Sequence, residues 1–214
     1  MRKFLLLILF TTMMLPVVFS QAVVKGNFEA GAGTGFGLFQ LTSNDTNDAT
    51  SLALSGVLQG HFEYAPINKI SLGIMFQRNG FATDRDSGNS AQTYLLGAGL
   101  KYRAVNAENT VIYFSLTGGP SWMHYFDKST DNYLNGQGYW FDLCAGTRYY
   151  ITHKAGIFVE LSYVKKQITH FKDKNDNLLM VGPYTDRREF DLTMGGMNLR
   201  FGLNFKFGGN NGKS

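Results

Sequence analysis

The sequence predicts an all-β protein: an eight-stranded antiparallel up-and-down transmembrane β-barrel. Three observations predict it. Apolar and polar residues alternate with a period of two, long and short connections alternate along the chain, and aromatic residues gather at the strand ends. The 214 residues include 18 Phe, 11 Tyr and 25 Gly beside 4 Pro, a composition typical of many strands joined by tight bends.

Composition also excludes several classes of protein. After residue 20 no stretch approaches the ~18 consecutive apolar residues that a membrane-spanning helix needs, which excludes a helical bundle. A hydrophobic fraction of 44% excludes disorder. The formal net charge is only +4, and Arg2 and Lys3 supply part of it, so a nucleic-acid partner is not expected. Cys144 is the single cysteine and cannot form an intramolecular disulfide.

Residues 1–20 are predicted to be a signal peptide. A basic start, Met1-Arg2-Lys3, precedes an apolar run from Phe4 to Phe19 that only Thr11, Thr12 and Pro16 interrupt. Small residues at Ser20 and Ala22 allow cleavage between Ser20 and Gln21 or directly after Ala22. The alternative, a retained membrane anchor, is disfavoured because the run is short and contains a proline. The barrel domain is then expected to cover residues 21–208, followed by a short polar tail at 209–214.

Eight alternating segments are predicted to be strands. The clearest runs from Met197 to Phe207, where every odd position is apolar and every even position is polar, charged or Gly. Such a strand has one face in an apolar medium and the other in a polar one. The eight segments are residues 27–40, 50–64, 70–77, 91–104, 111–125, 138–151, 156–168 and 190–207.

The connections between these segments predict the topology. Short turns are expected around residues 66–68, 105–110 and 153–155, and longer connections rich in Asp, Asn, Ser, Thr and Gly at 41–49, 78–90, 126–137 and 169–189. Short periplasmic turns that alternate with longer extracellular loops are typical of outer-membrane barrels. An even number of strands leaves both termini on the side of the short turns.

Aromatic residues form two predicted belts, as expected at the two membrane interfaces. On the turn side they are Phe28, Phe62, Tyr64, Tyr102, Tyr149, Phe205 and Phe207; on the loop side they are Phe36, Phe76, Tyr94, Trp122, Tyr139 and Tyr163. With the export signal, the alternating segments, the loop asymmetry and the aromatic last strand, the chain from about residue 24 to 208 resembles the small eight-stranded outer-membrane barrels, the OmpA-like and OmpX-like group. The tail from Gly208 to Ser214 departs from that group, whose barrels commonly end on the aromatic residue.

The resemblance implies a location in the outer membrane of a Gram-negative bacterium. It also implies a structural, adhesive or partner-binding role for the extracellular loops. The expected partners are outer-membrane lipid and a surface, host or secretion-system protein. Two alternatives stay open: a narrow porin-like channel for small solutes, and a lipid-modifying outer-membrane enzyme.

The polar face of the strands predicts a charged interior. An eight-stranded barrel is only wide enough for side chains to fill, so these charges must pair with one another. A three-residue turn at 153–155 would place Arg148 opposite Glu160, and Asp142 opposite Lys166. Gly31, Gly33, Gly35 and Gly37 would leave space for long side chains from the opposite wall. The predicted interior network comprises Glu29, His61, Glu63, Lys101, Arg103, Asp142, Arg148, Glu160, Lys166, Arg200 and Lys206.

No motif predicts catalysis, a cofactor or a metal ion. The glycines from Gly31 to Gly37 lack the last glycine of a dinucleotide-binding loop. The segment Asp173 to Asn177 has calcium-like spacing but lacks the required Gly and bidentate Glu. His61 shares its face with Ser55 and Glu63, but it lies near the turn side, and interior hydrogen bonding is its expected role.

The position of the mature N-terminus is a first testable prediction. Intact-mass measurement of protein extracted from membranes should give a chain that begins at Gln21 or Val23, because both cuts leave small residues where a signal peptidase requires them. A mass that includes Met1 would contradict the prediction.

Overall fold

The computed structural model describes residues 21–45, 50–82, 89–185 and 187–208. The predicted signal peptide with Ser20, and the tail at 209–214, lie outside the described residues. Among those described, no helix is long and apolar enough to span a bilayer.

Eight long strands form a closed antiparallel barrel, as predicted. The last barrel strand pairs with the first, so the sheet has no free edge. The fourth loop contains a separate hairpin of two short strands, β8 (Met180–Val181) and β9 (Arg188–Glu189). The barrel strands are β1 (Asn27–Ser43), β2 (Thr50–Ile67), β3 (Ile70–Phe81), β4 (Ser90–Asn106), β5 (Thr110–Asp127), β6 (Asn132–Tyr150), β7 (Ala155–Lys172) and β10 (Leu192–Gly208).

Most strands extend further toward the loops than the apolar alternation predicts. β6 begins at Asn132 rather than at residue 138, and β7 ends at Lys172 rather than at residue 168. The third connection is therefore reduced to residues 128–131. The outward side chains of β6 are polar at Asn135 and Gln137, so the alternation fades while the backbone pairing continues. The four loops are L1 (44–49), L2 (82–89), L3 (128–131) and L4 (173–191).

The two faces of the wall have opposite polarity to those of a water-soluble barrel. Large apolar side chains are exposed on the outer wall, with Leu52 at 73% and Leu116 at 56% of their full accessibility. The residues of both predicted aromatic belts also lie on this wall, and of these only Tyr94 is half-buried rather than exposed. Charged side chains are buried inside. This distribution is stable only where lipid surrounds the barrel.

One position in the wall needs a side chain to complete its hydrogen bonding. The ladder between β4 and β5 is interrupted between the pairs Leu95–Ser121 and Ala98–Gly118. Pro120 lies in this gap and has no N–H to donate. The indole Nε1 of Trp140, on β6, donates to the backbone carbonyl of Leu96 at 3.2 Å. Trp140 therefore supplies a donor where the proline interrupts the sheet.

The effect of removing this donor can be measured. Trp140→Phe keeps most of the buried apolar volume but leaves the Leu96 carbonyl without its indole partner, which should destabilise the barrel by about 1–3 kcal/mol. Urea unfolding in lipid vesicles measures the change, with Trp122→Phe on the outer wall as the matched control. Equal effects of the two substitutions would contradict the assigned role of Trp140.

Candidate functional site

The interior charges form two linked groups, of which the first lies toward the turn side. Glu29 accepts hydrogen bonds from Arg103 at 2.7 Å and from Arg148 at 2.8 Å. Glu63 accepts from Arg148 at 2.8 Å and from Lys101 at 2.5 Å. Arg148, on β6, thus joins carboxylates from β1 and β2. All five side chains are buried, so each charge is neutralised by its neighbours rather than by bulk water.

The second group centres on Arg200 of β10. Its Nη1 donates to Asp142 and to Gln77, at 2.8 and 2.9 Å. Its Nε lies 3.1 Å from a carboxylate oxygen of Glu160, which faces Arg200 directly across β7 and β10. The hydroxyl of Tyr113 donates to the other oxygen of Glu160 at 2.6 Å. One guanidinium therefore holds two acids in the middle of the barrel.

Two predicted interior residues have other kinds of partner. His61 Nε2 lies 3.0 Å from Asn204 Oδ1 and 3.9 Å from Glu63, so the ring is part of the turn-side group. Lys166 is fully buried, and no carboxylate of the described residues forms an ion pair with it. Its ammonium donates instead to side-chain oxygens of Asn79 and Thr93, at 3.1 and 2.9 Å.

Lys206, the remaining predicted member of the interior network, lies at its turn-side edge. The side chain is half-buried, and its ammonium donates to the backbone carbonyl of Ala22. Lys206 therefore contacts the N-terminal segment rather than a carboxylate.

The predicted pairs Arg148–Glu160 and Asp142–Lys166 are wrong. Arg148 faces Phe158 and Lys166 faces Trp140, because β6 and β7 are paired two residues away from the predicted register. The turn spans residues 151–154 and is closed by Ile151 and Thr152, whose N–H groups both donate to the carbonyl of Ala155. A shift of two keeps every side chain on its predicted face and changes only its partner.

Neutral polar residues that the sequence analysis missed complete the network. Tyr113 bonds Glu160, Tyr150 donates to Glu29, and Gln59 donates to Glu160 at 3.1 Å. Each lies on the inward face of its strand. The apolar alternation would have placed all three in the interior if neutral polar side chains had been considered together with charged ones.

The glycines of β1 provide space, as predicted, but side chains of nearby strands rather than of the opposite wall occupy it. A Cβ atom at Gly33 would lie 2.7 Å from the ring of Phe158, and one at Gly31 would collide with the ring of His61. Large side chains from neighbouring strands therefore occupy the volume that the glycines leave.

Toward the loops the interior becomes apolar. This apolar cluster consists of Phe39, Ala91, Leu95, Met123, Trp140, Val164, Ile168, Phe171, Leu192 and Met194, all of them buried. Below it, a cavity beside His61, Lys101 and Arg200 has a volume of about 30 Å³. That is space for about one water molecule.

The N-terminal segment closes the opposite mouth. Residues 21–26, called the strap here, cross the turn-side opening, where Ala22 and Val23 are buried against Tyr113, Cys144 and Tyr150. The side-chain amide of Asn106 accepts from the N–H of Val23 at 3.0 Å and donates to its carbonyl at 2.6 Å. No periodic pattern marks this segment in the sequence, because its contacts are with strand ends far away in the chain.

L4 has a fixed local structure outside the barrel. The carboxylate of Asp173 accepts from the backbone N–H groups of Asn177 and Asn175, at 2.9 and 2.8 Å, and these bonds hold the pKa of Asp173 below its usual value. The side-chain oxygen of Asn44, in L1, accepts from the N–H of Asp191 at 2.8 Å. At the far end of the hairpin, Tyr184 is 87% exposed.

Among the described residues the geometry assembles neither a metal site nor the serine–histidine contact that the shared face of Ser55 and His61 suggests. Ser55 contacts Asn79, at 3.3 Å, whereas His61 contacts Asn204 and Arg148, so the serine and histidine that share a face do not meet. No group of three or more His, Cys, Asp or Glu side chains in the described ranges could hold a metal ion. On the loop side, His170 Nδ1 lies 2.7 Å from Thr169 Oγ1, and its Nε2 lies 3.6 Å from a carboxylate oxygen of Glu189.

Comparison with solved structures agrees with the fold. The outer membrane protein OprG from Pseudomonas aeruginosa aligns with 89% of this chain and 100% of its own, at 15% identity and a TM-score of 0.54. The outer membrane protein AlkL aligns with 91% of this chain and 96% of its own, at 14% identity and a TM-score of 0.51. This chain has the fold of the small outer-membrane β-barrels. Neither a protein-family model nor a curated protein matches the sequence.

The physical properties of the barrel agree with a location in a membrane. Its closed edge satisfies the backbone hydrogen bonds without water, and its apolar outer wall requires lipid.

The pair Arg200–Glu160 allows a test of the interior network. Arg200→Met should cost about 3–5 kcal/mol because it leaves two buried carboxylates without their guanidinium, and adding Glu160→Gln should cost less than the sum of the two single changes. Urea unfolding of the single and double variants in vesicles measures the coupling. Arg103→Met combined with Glu160→Gln is the control and should be nearly additive, since Arg103 bonds Glu29 instead. Additivity in both cycles would contradict the assigned contact.

Proposed function

We propose that this outer-membrane barrel is a sealed membrane anchor that presents L4 outside the cell, in a structural, adhesive or partner-binding role. On this proposal residues 1–20 are the removed signal peptide and residues 21–208 form the barrel domain. The partner is a surface, host or secretion-system protein, and the only membrane component required is outer-membrane lipid.

The filled interior favours this role over a porin-like channel. The strap covers the turn-side mouth, the charged network fills the middle, and the apolar cluster fills the loop-side half. A solute would have to displace buried ion pairs and then pass tightly packed apolar side chains. Both steps are costly, because neither the charges nor the apolar contacts would be replaced by equivalent ones.

The observation that carries the proposal is the exposed tip of L4. Tyr184 is 87% exposed, and the guanidinium of Arg187 lies 5.1 Å from the centre of its ring. Tyrosine and arginine are enriched among the residues that dominate protein interfaces. Because the ring of Tyr184 is not packed into the protein's own core, its surface is available to a partner.

Contacts that hold L4 in place reduce the entropic cost of binding a partner. The N–H of Leu179 donates to the carbonyl of Phe171 at 2.7 Å, which ties the first arm of the hairpin to β7. The N–H of Phe190 donates to the carbonyl of Leu179 at 2.9 Å, which ties the second arm to the first. The ring of Phe190 packs edge-on against Phe171, with centroids 5.1 Å apart. A loop that is already ordered loses less conformational entropy when a partner binds.

A lipid-modifying enzyme is not part of this proposal. His124, on the outer wall at the loop side, is oriented by the side chain of Asn135 at 2.5 Å. No serine or carboxylate of the described residues forms a hydrogen bond or an ion pair with it. His124 therefore has no nucleophile in contact and offers no acyl-transfer mechanism.

Cell adhesion tests the proposal. Cells that produce the Tyr184→Ser, Arg187→Ser variant should be retained severalfold less than wild-type cells on an epithelial layer, because the variant removes the exposed interface residues without touching the barrel. Tyr133→Ser, at another exposed tyrosine near L3, is the matched control. Equal retention of wild-type cells, variant cells and cells that lack the protein would contradict an adhesive role for L4.

A further inference from the structure

The outer wall carries an isolated cationic site at the depth of the loop-side aromatic belt. Arg78 projects outward from β3 and pairs across the sheet with Tyr94, which in turn pairs with Trp122. Among the described outward positions of β3 to β6 there is no Asp or Glu, and Arg78 is the one charged side chain. The groups that can contact a wall at this depth are those of the membrane interface.

The side chains around Arg78 hold it in place without neutralising it. Its Nε and Nη2 both donate to the side-chain oxygen of Gln92, at 3.2 and 2.8 Å, and the hydroxyl of Tyr94 donates to the same oxygen at 3.0 Å. The ring of Tyr94 lies beside the guanidinium and packs edge-on against His124, with ring centroids 5.6 Å apart. The Nη1 nitrogen has no hydrogen bond to the described residues. A planar donor group held in this way is suited to a phosphate oxygen.

An apolar groove lies toward the bilayer centre on the same strands. Its floor is formed by Ala98 and Gly118, which pair with each other and project no side chain beyond a methyl group. Leu72, Leu100, Leu116 and Phe141 form its walls, each at least 40% exposed. From Tyr94 to Ala98 is four residues along β4, a distance of about 13 Å.

We propose that this surface binds one phosphate-bearing lipid, with the headgroup phosphate on Arg78 and an acyl chain in the groove over Ala98 and Gly118. Two independent features favour a lipid over a soluble anion. The cationic group faces the membrane interface rather than the loops, and the groove beneath it is apolar and open only to the bilayer. Gln92 and Tyr94 are the positioning residues, since they fix the guanidinium that contacts the ligand.

Native mass spectrometry of the full barrel in detergent tests the headgroup contact, with dioleoylphosphatidylglycerol as the probe. The wild-type protein should retain one lipid, and Arg78→Gln should bind it about tenfold more weakly, because one charge-assisted contact is lost. Lys165→Gln, at an outward cation on β7, is the matched control and should bind as the wild type does. Arg78→Lys should bind with intermediate affinity, because it keeps the positive charge but loses the planar donor group that Gln92 holds. Equal retention by the Arg78→Gln variant and the wild type overturns the proposal.

The groove is tested by filling it. Ala98→Phe should weaken binding of the same lipid, whereas Ala32→Phe, at an exposed outward alanine of β1, should not. Dioleoylglycerol, which lacks the phosphate, should bind at least tenfold more weakly, and inorganic phosphate in excess should not displace the lipid. Displacement by inorganic phosphate would identify a simple anion site, and equal effects of the two Phe variants would overturn the assigned groove. Slower migration after boiling in SDS verifies that each variant is folded.

Discussion

Charges inside a narrow barrel have no bulk water to hydrate them, and this constraint determines most of the interior of the protein. Four buried carboxylates, Glu29, Glu63, Asp142 and Glu160, are each held by at least one cationic side chain at 2.5–3.1 Å. Each arginine that bridges two acids must extend across the lumen. The glycines of β1 leave volume for the rings of His61 and Phe158, and neutral amide and hydroxyl groups donate further hydrogen bonds to Glu29 and Glu160.

The consequence for function is that activity is assigned to surfaces rather than to the lumen. Polar side chains fill the middle, and apolar side chains fill the loop-side half, so the barrel is a rigid support. L4, tied to β7 and to L1, extends from it into the medium. On the outer wall the same rigidity holds Arg78 and the groove at Ala98 in a fixed relation.

The alternation of apolar and polar residues was sufficient to predict the fold, because it shows which face of each strand meets lipid and which meets the interior. It predicted eight strands, the aromatic belts and the inward position of Arg148 and Arg200. It could not predict partners, since a register shift of two residues leaves every face unchanged. The turn at 151–154 decided that register through hydrogen bonds of Ile151 and Thr152, which apolar alternation does not report.

Other features could not be predicted from the sequence, for a different reason. The strap depends on strand ends that come together only in the closed barrel. The bond from Trp140 to Leu96 reaches across β5 to a strand that does not pair with β6, and the groove at Ala98 exists because Gly118 is its cross-strand neighbour. Strand ends above the membrane were also missed, because polar residues continue the pairing there without an apolar signal.

Conductance through the barrel tests the central claim most directly. Refolded wild-type protein is inserted into planar lipid bilayers, with a porin recorded in the same bilayers as the positive control. A lumen filled by ion pairs and apolar side chains should give no resolvable single-channel steps at any voltage the bilayer withstands. Reproducible open steps from folded wild-type protein would contradict the account, because they would require a continuous water-filled path through the network around Arg148 and Arg200.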